Sequence, residues 1–193
     1  MARLLPVLLA ALAIAGSAAA ATQYPDVKDE SVEAPASRVM KLSIVIKAPR
    51  DVLWKAMTDA SEMPKWNVPV AFADIRPGGM IEASYNPAAR QGDPQNIKNE
   101  IVAVDPGRML VFHNVQAPEG LPGRERFGKV ISYALFEDAE PGLTRVTIGQ
   151  VGYAGGDEDR TLFNFFRAGN AYLLANMKHV YGGGPKPDQP VGH

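Results

Sequence analysis

Cysteine is absent from this chain of 193 residues. Without thiols the protein forms no disulfide, no thiolate zinc site and no thioether lipid anchor, and it has no cysteine nucleophile. Histidine is scarce as well, since only His113, His179 and His193 occur. His179 falls on the predicted solvent face of a helix and His193 near the end of the chain, so a zinc site would need His113 with carboxylates that no sequence motif brings to it. We expect no metal site and no bound cofactor.

An excess of charge of one sign is also missing. The chain has 20 Lys+Arg against 21 Asp+Glu, a net charge of −1, without long runs of like charge. Proteins that bind nucleic acid neutralise rows of phosphates with clustered basic residues. We therefore expect no nucleic-acid partner. The length and the 46% share of apolar residues fit one globular domain with an appendage.

Long apolar runs are lacking outside the first twenty residues. Arg3 gives a positive start, residues 4–15 are apolar, and Ala18 to Ala20 supply small residues suited to cleavage. As a helix the apolar part would span about 18 Å, which is short of the roughly 30 Å hydrocarbon core of a bilayer. We expect a signal peptide over residues 1–20, cleavage near Ala20, and an exported, periplasmic or secreted protein with no stable membrane insertion.

The rest of the chain alternates between short apolar segments and turn residues. Residues 21–37 are polar and predict an N-terminal arm, and residues 38–181 predict the domain. Apolar residues alternate over residues 40–46, as in a strand with one buried face. A short helix follows Pro49, and a second one carries Met63 and Trp66. Six further strands are predicted at residues 71–75, 80–85, 97–104, 109–115, 129–136 and 144–151.

The pattern becomes helical at Asp157. Three acidic residues favour a helix start, and Gly182 to Gly184 end a helix of about six turns. Residues 182–193 are rich in glycine and proline and predict a disordered tail. Helical spacing places one set of residues on an apolar stripe: Leu162, Phe163, Phe166, Gly169, Leu173, Met177 and Val180. The opposite face holds Arg160, Asn164, Arg167, Ala171, Ala175 and Lys178.

This order of elements and several turn motifs together resemble a known superfamily. The motifs are IKAPRDVLWKAMTDA at residues 46–60, KW at 65–66, RPGG at 76–79, VDPGRMLVF at 104–112 and TRVT at 144–147. They are similar to the START-like, or SRPBCC, helix-grip superfamily, and within it to the branch named for activators of a heat-shock-protein ATPase. The resemblance implies an α+β fold in which a curved, seven-stranded antiparallel sheet wraps around the long C-terminal helix. It also implies two short helices between the first two strands and a hydrophobic cavity between sheet and helix.

Motifs for enzyme chemistry are weak. GRERFGK at residues 123–129 fits seven positions of a phosphate-binding P-loop, but Val130 stands where a hydroxyl would bind magnesium. We expect no nucleotide there and interpret the segment as a partly basic hairpin loop. Glu137-Asp138 and residues 157–159 lie at predicted turns or helix starts, where capping and solvation explain them. No G-x-S-x-G elbow or H-E-x-x-H pair occurs.

Asn170 is a polar residue on the apolar stripe of the long helix. An unpaired buried amide costs about 1–3 kcal/mol, so Asn170 either fixes the helix through a protein or water contact or orients a ligand in the cavity. Gly169 beside it predicts a gap that a larger side chain would have filled. The candidate cavity residues are Trp66, Phe72, Tyr85, Phe112, Asn114, Phe166 and Asn170.

Three functions remain open from the sequence. The first is non-catalytic binding of a small hydrophobic ligand, lipid-like or aromatic. The second is an enzyme of the polyketide cyclase or aromatase kind, assisted by Glu100, Tyr85 or His113. The third is a protein-interaction module that uses the outer face of the sheet. No catalytic residue is assigned, and the oligomeric state stays open.

Overall fold

The computed structural model describes residues 23–189, and within them it has one long helix packed on one antiparallel sheet. The predicted signal peptide and the last four residues of the predicted tail lie outside the described residues. The helices are α1 (Arg50–Thr58), α2 (Arg124–Phe127) and α3 (Asp157–Gly182), with a single 3₁₀ turn at Met63–Lys65. The strands are β1 (Lys28–Asp29), β2 (Val32–Ala34), β3 (Ser37–Ile46), β4 (Val70–Ala73), β5 (Met80–Ser84), β6 (Ile97–Asp105), β7 (Met109–Gln116), β8 (Ile131–Glu140) and β9 (Leu143–Ala154).

All neighbouring strands in the sheet are antiparallel, in the order β1-β3-β9-β8-β7-β6-β5-β4, with β2 also paired to β3. Consecutive strands from β4 to β9 form a meander. Short turns join β4 to β5, β6 to β7 and β8 to β9, whereas residues 85–96 join β5 to β6 and residues 117–130, with α2, join β7 to β8. The prediction of an α+β helix-grip fold is confirmed. The described chain has nine strands rather than seven, since the N-terminal arm adds β1 and β2.

The core lies between the concave face of the sheet and α3. On β3 the alternating residues Met40, Leu42, Ile44 and Ile46 are each at most 2% exposed, which confirms the period-two pattern of the sequence. The larger strands β8 and β9 supply further apolar side chains on the same face. Burial of this apolar surface is the main force that holds the long helix on the sheet.

The predicted N-terminal arm is structured from residue 23, where the described chain begins, and it contributes two short strands to the sheet. Tyr24 and Val27 are 7% and 6% exposed, and Asp29 pairs with Leu42 in the sheet register. The carboxylate of Asp29 also accepts a hydrogen bond of 2.6 Å from Nε of Arg167 on α3. These contacts are distant in sequence, so the polar composition of the arm did not indicate them.

The helix α3 buries part of the predicted stripe, namely Leu162, Phe163 and Met177, but its other buried residues lie outside that stripe. Ala171, expected on the solvent face, is 1% exposed, whereas Val180, expected on the stripe, is 38% exposed. Phe166, Gly169 and Leu173 belong to the predicted stripe but are only partly buried, because they border an open groove instead of the solid core. The arm and the tail also cover part of the helix that the prediction left to solvent.

The sequence predicts a disordered tail over residues 182–193, but the part of it that the structure describes packs against the rest of the protein. Gly183 ends α3 in the left-handed conformation at φ 74°, and residues 184–189 turn back along the helix. Nδ1 of His179 lies 2.7 Å from the carbonyl oxygen of Gly184, and Tyr24 donates to the carbonyl of Asp188.

Two further expectations need correction. Residues 123–129 do not form a plain hairpin loop: α2 lies there, and its Phe127 is buried with its ring centroid 4.5 Å from that of Phe166. Asp159 is not a solvated capping residue, since its side chain is 6% exposed and pairs with Nε of Arg126 at 3.1 Å. Between residues 23 and 189 no helix combines the length and apolar character needed to cross a bilayer.

Candidate binding cavity

Two adjoining spaces lie beside α3, next to the core that joins the helix to the sheet. The inner one, called the chamber here, has a volume of about 210 Å³ and is lined by β5 to β9 together with α2 and α3. The outer one, called the groove, has a volume of about 500 Å³ and lies along α3. Five residues line both spaces, and the boundary that they form is called the passage: Asn67, Tyr85, Phe165, Phe166 and Asn170. The combined space falls within the usual size of small-molecule sites.

The walls of the chamber are mostly apolar because the inward positions of successive strands face it. Phe112 of β7 pairs in register with Ile101 of β6 and with Ser132 of β8, and the pattern continues on β9 with Ile148. No residue among those that line the chamber or the groove in the described chain carries a formal charge. A buried ion without a partner is costly, so such a site favours uncharged molecules.

A short chain of hydrogen bonds crosses the chamber wall. The hydroxyl of Tyr153 donates to Oε1 of Gln150 at 2.5 Å, and Nε2 of Gln150 donates to Oγ of Ser132 at 3.0 Å. All three residues are at most 4% exposed. Burial, and next the negative charge of Asp159, raise the pKa of Tyr153 far above its usual value, so its hydroxyl stays protonated and acts as the donor.

Asn170 lies in the passage on α3 and has little hydrogen bonding to the protein. The contact of its Nδ2 is with Sδ of Met40 at 3.8 Å, and sulfur is a weak acceptor. Met40 is the register partner of Gln150, so both amides flank the same methionine. Beside Asn170, a Cβ added to Gly169 would meet no atom within 4 Å, which confirms the expected gap in the helix surface.

Tyr85 stands at the mouth of the passage. It is 66% exposed, yet partial desolvation in the groove, and next the nearby Tyr172, raise the pKa of its hydroxyl. Tyr85 is therefore a neutral aromatic side chain at physiological pH, available for stacking and for hydrogen bonding.

The comparison with family models decides the assignment. Residues 47–182 match the model described as "Activator of Hsp90 ATPase homolog 1-like protein", which is more than half of the chain. The chain belongs to this family. The resemblance drawn from the turn motifs is thereby confirmed, and the family accounts for the sheet, the long helix and the space between them.

Solved structures similar to this family member share its fold at low sequence identity. CalU16 from Micromonospora echinospora is 18% identical, with a TM-score of 0.57 over 80% of this chain and 85% of that chain. The Aha1 dimer from Colwellia psychrerythraea is 15% identical, with a TM-score of 0.57 over 75% of this chain and 96% of that chain. No curated protein sequence gives a significant match.

The cavity residues that the sequence predicts for this family member fall into two groups. Tyr85, Phe112, Phe166 and Asn170 line the chamber. The other three do not line the chamber or the groove in the described chain: Trp66, Phe72 and Asn114. Trp66 belongs to the solid core instead, where it is 2% exposed and its Nε1 donates to the carbonyl of Ala56 at 2.9 Å.

Phe72 lies on the edge strand β4, half-buried. Asn114 is buried on β7, two residues after Phe112, which lines the chamber. Its Nδ2 donates to the carbonyl oxygens of Lys98 and Gln116 and to Oδ1 of Asn99. Of these four residues only Asn99 lines the chamber. Asn114 therefore affects the cavity by holding the side chain of Asn99 in place through their hydrogen bond.

Sequence reasoning missed the most polar part of the chamber: Asn99, Ser132 and Gln150. Ser132 alternates with Ala134 and Phe136 on a predicted strand, and Gln150 follows Val146 and Ile148 in the same way. A polar residue at an inward position of a strand is the feature that could have identified both.

Of the three titratable residues considered for catalysis, Tyr85 lines the chamber, and the other two lie elsewhere. Glu100 and His113 are register partners on β6 and β7, with Oε2 and Nε2 3.6 Å apart. Each alternates with chamber or core residues, so both side chains lie on the outer face of the sheet. Within residues 23–189 no group of three histidine, aspartate or glutamate side chains is placed to hold a metal ion.

Proposed function

We propose that this protein binds a small, predominantly apolar molecule in the chamber and groove and does not transform it. The observation that carries the proposal is a pair of adjoining spaces beside α3 whose lining in the described chain is uncharged and mostly apolar. Sites of this kind bury most of a small ligand and fix it with a few polar groups.

The arrangement of titratable groups supports binding over catalysis. General acid–base chemistry requires a group within hydrogen-bond reach of the substrate and a pKa near the working pH. Glu100 and His113 are on the outer face of the sheet, and the raised pKa of Tyr85 makes it a poor base near neutrality. A cyclase-like reaction would have to proceed in a site without a carboxylate or an imidazole in its lining.

The presence of the interior space also favours ligand binding over a role confined to protein contacts. A module that acts only through its outer face would gain stability from a filled core, because empty apolar volume is destabilising. Export through the predicted signal peptide is part of the proposal, and it implies a ligand met outside the cytoplasm.

The test uses the uncharged fluorescent probe N-phenyl-1-naphthylamine with two matched variants of α3. Gly169→Leu adds a side chain to the groove, where the glycine leaves open space, while Asn164→Leu adds the same side chain on the exposed face of the helix. We expect saturable binding to the wild type and to Asn164→Leu. Gly169→Leu should bind about tenfold more weakly, since filling an occupied site costs roughly 1–3 kcal/mol.

Native mass spectrometry of protein purified from its source provides an independent check for a co-purifying small molecule. Failure of the wild type to bind the probe would contradict the proposal, as would an equal effect of the two leucine variants.

A further inference from the structure

The hydrogen-bond chain in the chamber wall has a direction. It begins at the hydroxyl of Tyr153, passes through the amide of Gln150 and reaches Oγ of Ser132. The reverse orientation of the amide would leave the tyrosine hydroxyl without an acceptor, which is costly for a buried group. Ser132 is therefore the accepting end of the chain.

The end of this chain presents donors to the chamber. Oγ of Ser132 accepts from Gln150, and within residues 23–189 its own hydrogen has no protein acceptor. Nε2 of Gln150 carries a second hydrogen that is likewise without a protein acceptor in the described chain. The two donor atoms are 3.0 Å apart, and both residues line the chamber.

We propose that the ligand is an uncharged carbonyl compound whose oxygen accepts a hydrogen bond from the hydroxyl of Ser132. This inference rests on the proposed function and specifies its substrate class. A carbonyl oxygen accepts hydrogen bonds and donates none, which suits a hydroxyl donor in the wall of an otherwise apolar chamber. The hydrogen bonds within the chain polarise one another, so the terminal hydroxyl of Ser132 is a stronger donor than an isolated one.

The lining of the chamber and the groove has no charged side chain in the described chain, which disfavours the carboxylate analogues of such a carbonyl compound. A carboxylate would also accept from Ser132, but no lysine, arginine or histidine lines the chamber or the groove in the described part of the chain. A buried anion without a cation loses its hydration with little compensation. The neutral ketone, ester or aldehyde therefore binds in preference to the acid.

Three naphthalene probes of similar shape separate these possibilities by calorimetric titration. They are 2-acetylnaphthalene, which carries a carbonyl; 2-isopropenylnaphthalene, in which a methylene replaces that oxygen; and 2-naphthoate, which is charged. We expect the ketone to bind about three- to tenfold more tightly than the alkene, as one neutral hydrogen bond allows. The naphthoate should bind more weakly than both.

Two serine variants locate the effect. Ser132→Ala should abolish the preference for the ketone and leave alkene binding unchanged, and the alkene also shows that the variant has kept its folded cavity. Ser43→Ala is the matched control, because Ser43 is equally buried at 3% but lies on β3 between the core residues Leu42 and Ile44, facing the other side of the sheet.

The outcomes distinguish the two proposals. Equal binding of ketone and alkene by the wild type would overturn the carbonyl assignment and leave the binding function intact, and tightest binding of naphthoate would overturn the preference for neutral ligands. If none of the three probes binds, both proposals fail. A ketone preference that survives Ser132→Ala would overturn the role of Ser132.

Discussion

Tyr24 and Asp188 join the two ends of the described chain. The hydroxyl of Tyr24 donates a hydrogen bond of 2.8 Å to the backbone carbonyl of Asp188, across a sequence separation of 164 residues. The ring of Tyr24 also lies 6.2 Å from that of Tyr172 on α3. Through these contacts the arm and the tail cover the same side of the helix.

The first prediction concerns this contact. Tyr24→Phe keeps the ring and removes the hydroxyl donor. We therefore expect the free energy of unfolding to fall by roughly 1 kcal/mol and the melting temperature by about 2–4 °C. Hydrogen exchange of residues 183–189 should become faster. Tyr133→Phe is the control, because Tyr133 packs over Gly149 on the other face of the sheet. Equal melting temperatures for wild type and Tyr24→Phe would show that the tail is held by other contacts.

The second prediction compares two aspartates in the first turn of α3. Asp159→Asn removes the charge of a buried partner of Arg126 and should cost about 1–3 kcal/mol of unfolding free energy. Asp157→Asn, at a side chain that is 88% exposed, should change it by less than about 0.5 kcal/mol.

Both aspartates lie close to the positive end of the helix dipole, so that contribution largely cancels in the comparison. Denaturant unfolding of the two variants measures the difference. Similar losses would mean that the Arg126 pair contributes little beyond the dipole.

The third prediction separates two asparagines of the same helix. Asn170 has only the weak contact with Met40, whereas Nδ2 of Asn176 donates to the carbonyl of Trp66 at 2.6 Å. Asn170→Leu should weaken binding of N-phenyl-1-naphthylamine, whose N–H can donate to Oδ1 of Asn170, by about 1–2 kcal/mol with little change in the melting temperature. Asn176→Leu should lower the melting temperature and leave probe affinity nearly unchanged. The reverse pattern would assign Asn170 a structural role.

The fourth prediction concerns the start of the mature protein. Because small residues follow a short apolar segment, the exported chain should begin between Ala20 and Thr22. N-terminal sequencing of protein from its natural source measures this directly. A membrane-retained chain that still carries Arg3 would contradict both cleavage and release.

Much of the fold is determined locally and could therefore be predicted. The alternation of Met40, Leu42 and Ile44 specifies a strand with one buried face, and the turn after Asp105 specifies a hairpin. The acidic start of α3 and its glycine end are equally local. Such patterns depend only on residues within one turn, strand or helix, so they can be identified without knowledge of the rest of the molecule.

The chamber was predicted in outline but not in its chemistry. The helix pattern identified Asn170 and the gap at Gly169, since both depend on positions along one helix. Trp66 and Asn114 were assigned to the cavity by residue type, although their hydrogen bonds place them in solid structure. Only the sheet register brings Gln150 beside Ser132 and directs Glu100 away from the chamber.

Local patterns in the sequence specified the seven strands β3 to β9, the long helix and the family, because periodicity and turn chemistry are properties of neighbouring residues. The tertiary structure alone decided which faces are buried. Ala171 is covered while Val180 is exposed, and the polar arm and the glycine-rich tail are ordered through Tyr24. These outcomes depend on partners more than a hundred residues away, and the free energy of burial becomes available only when those partners meet.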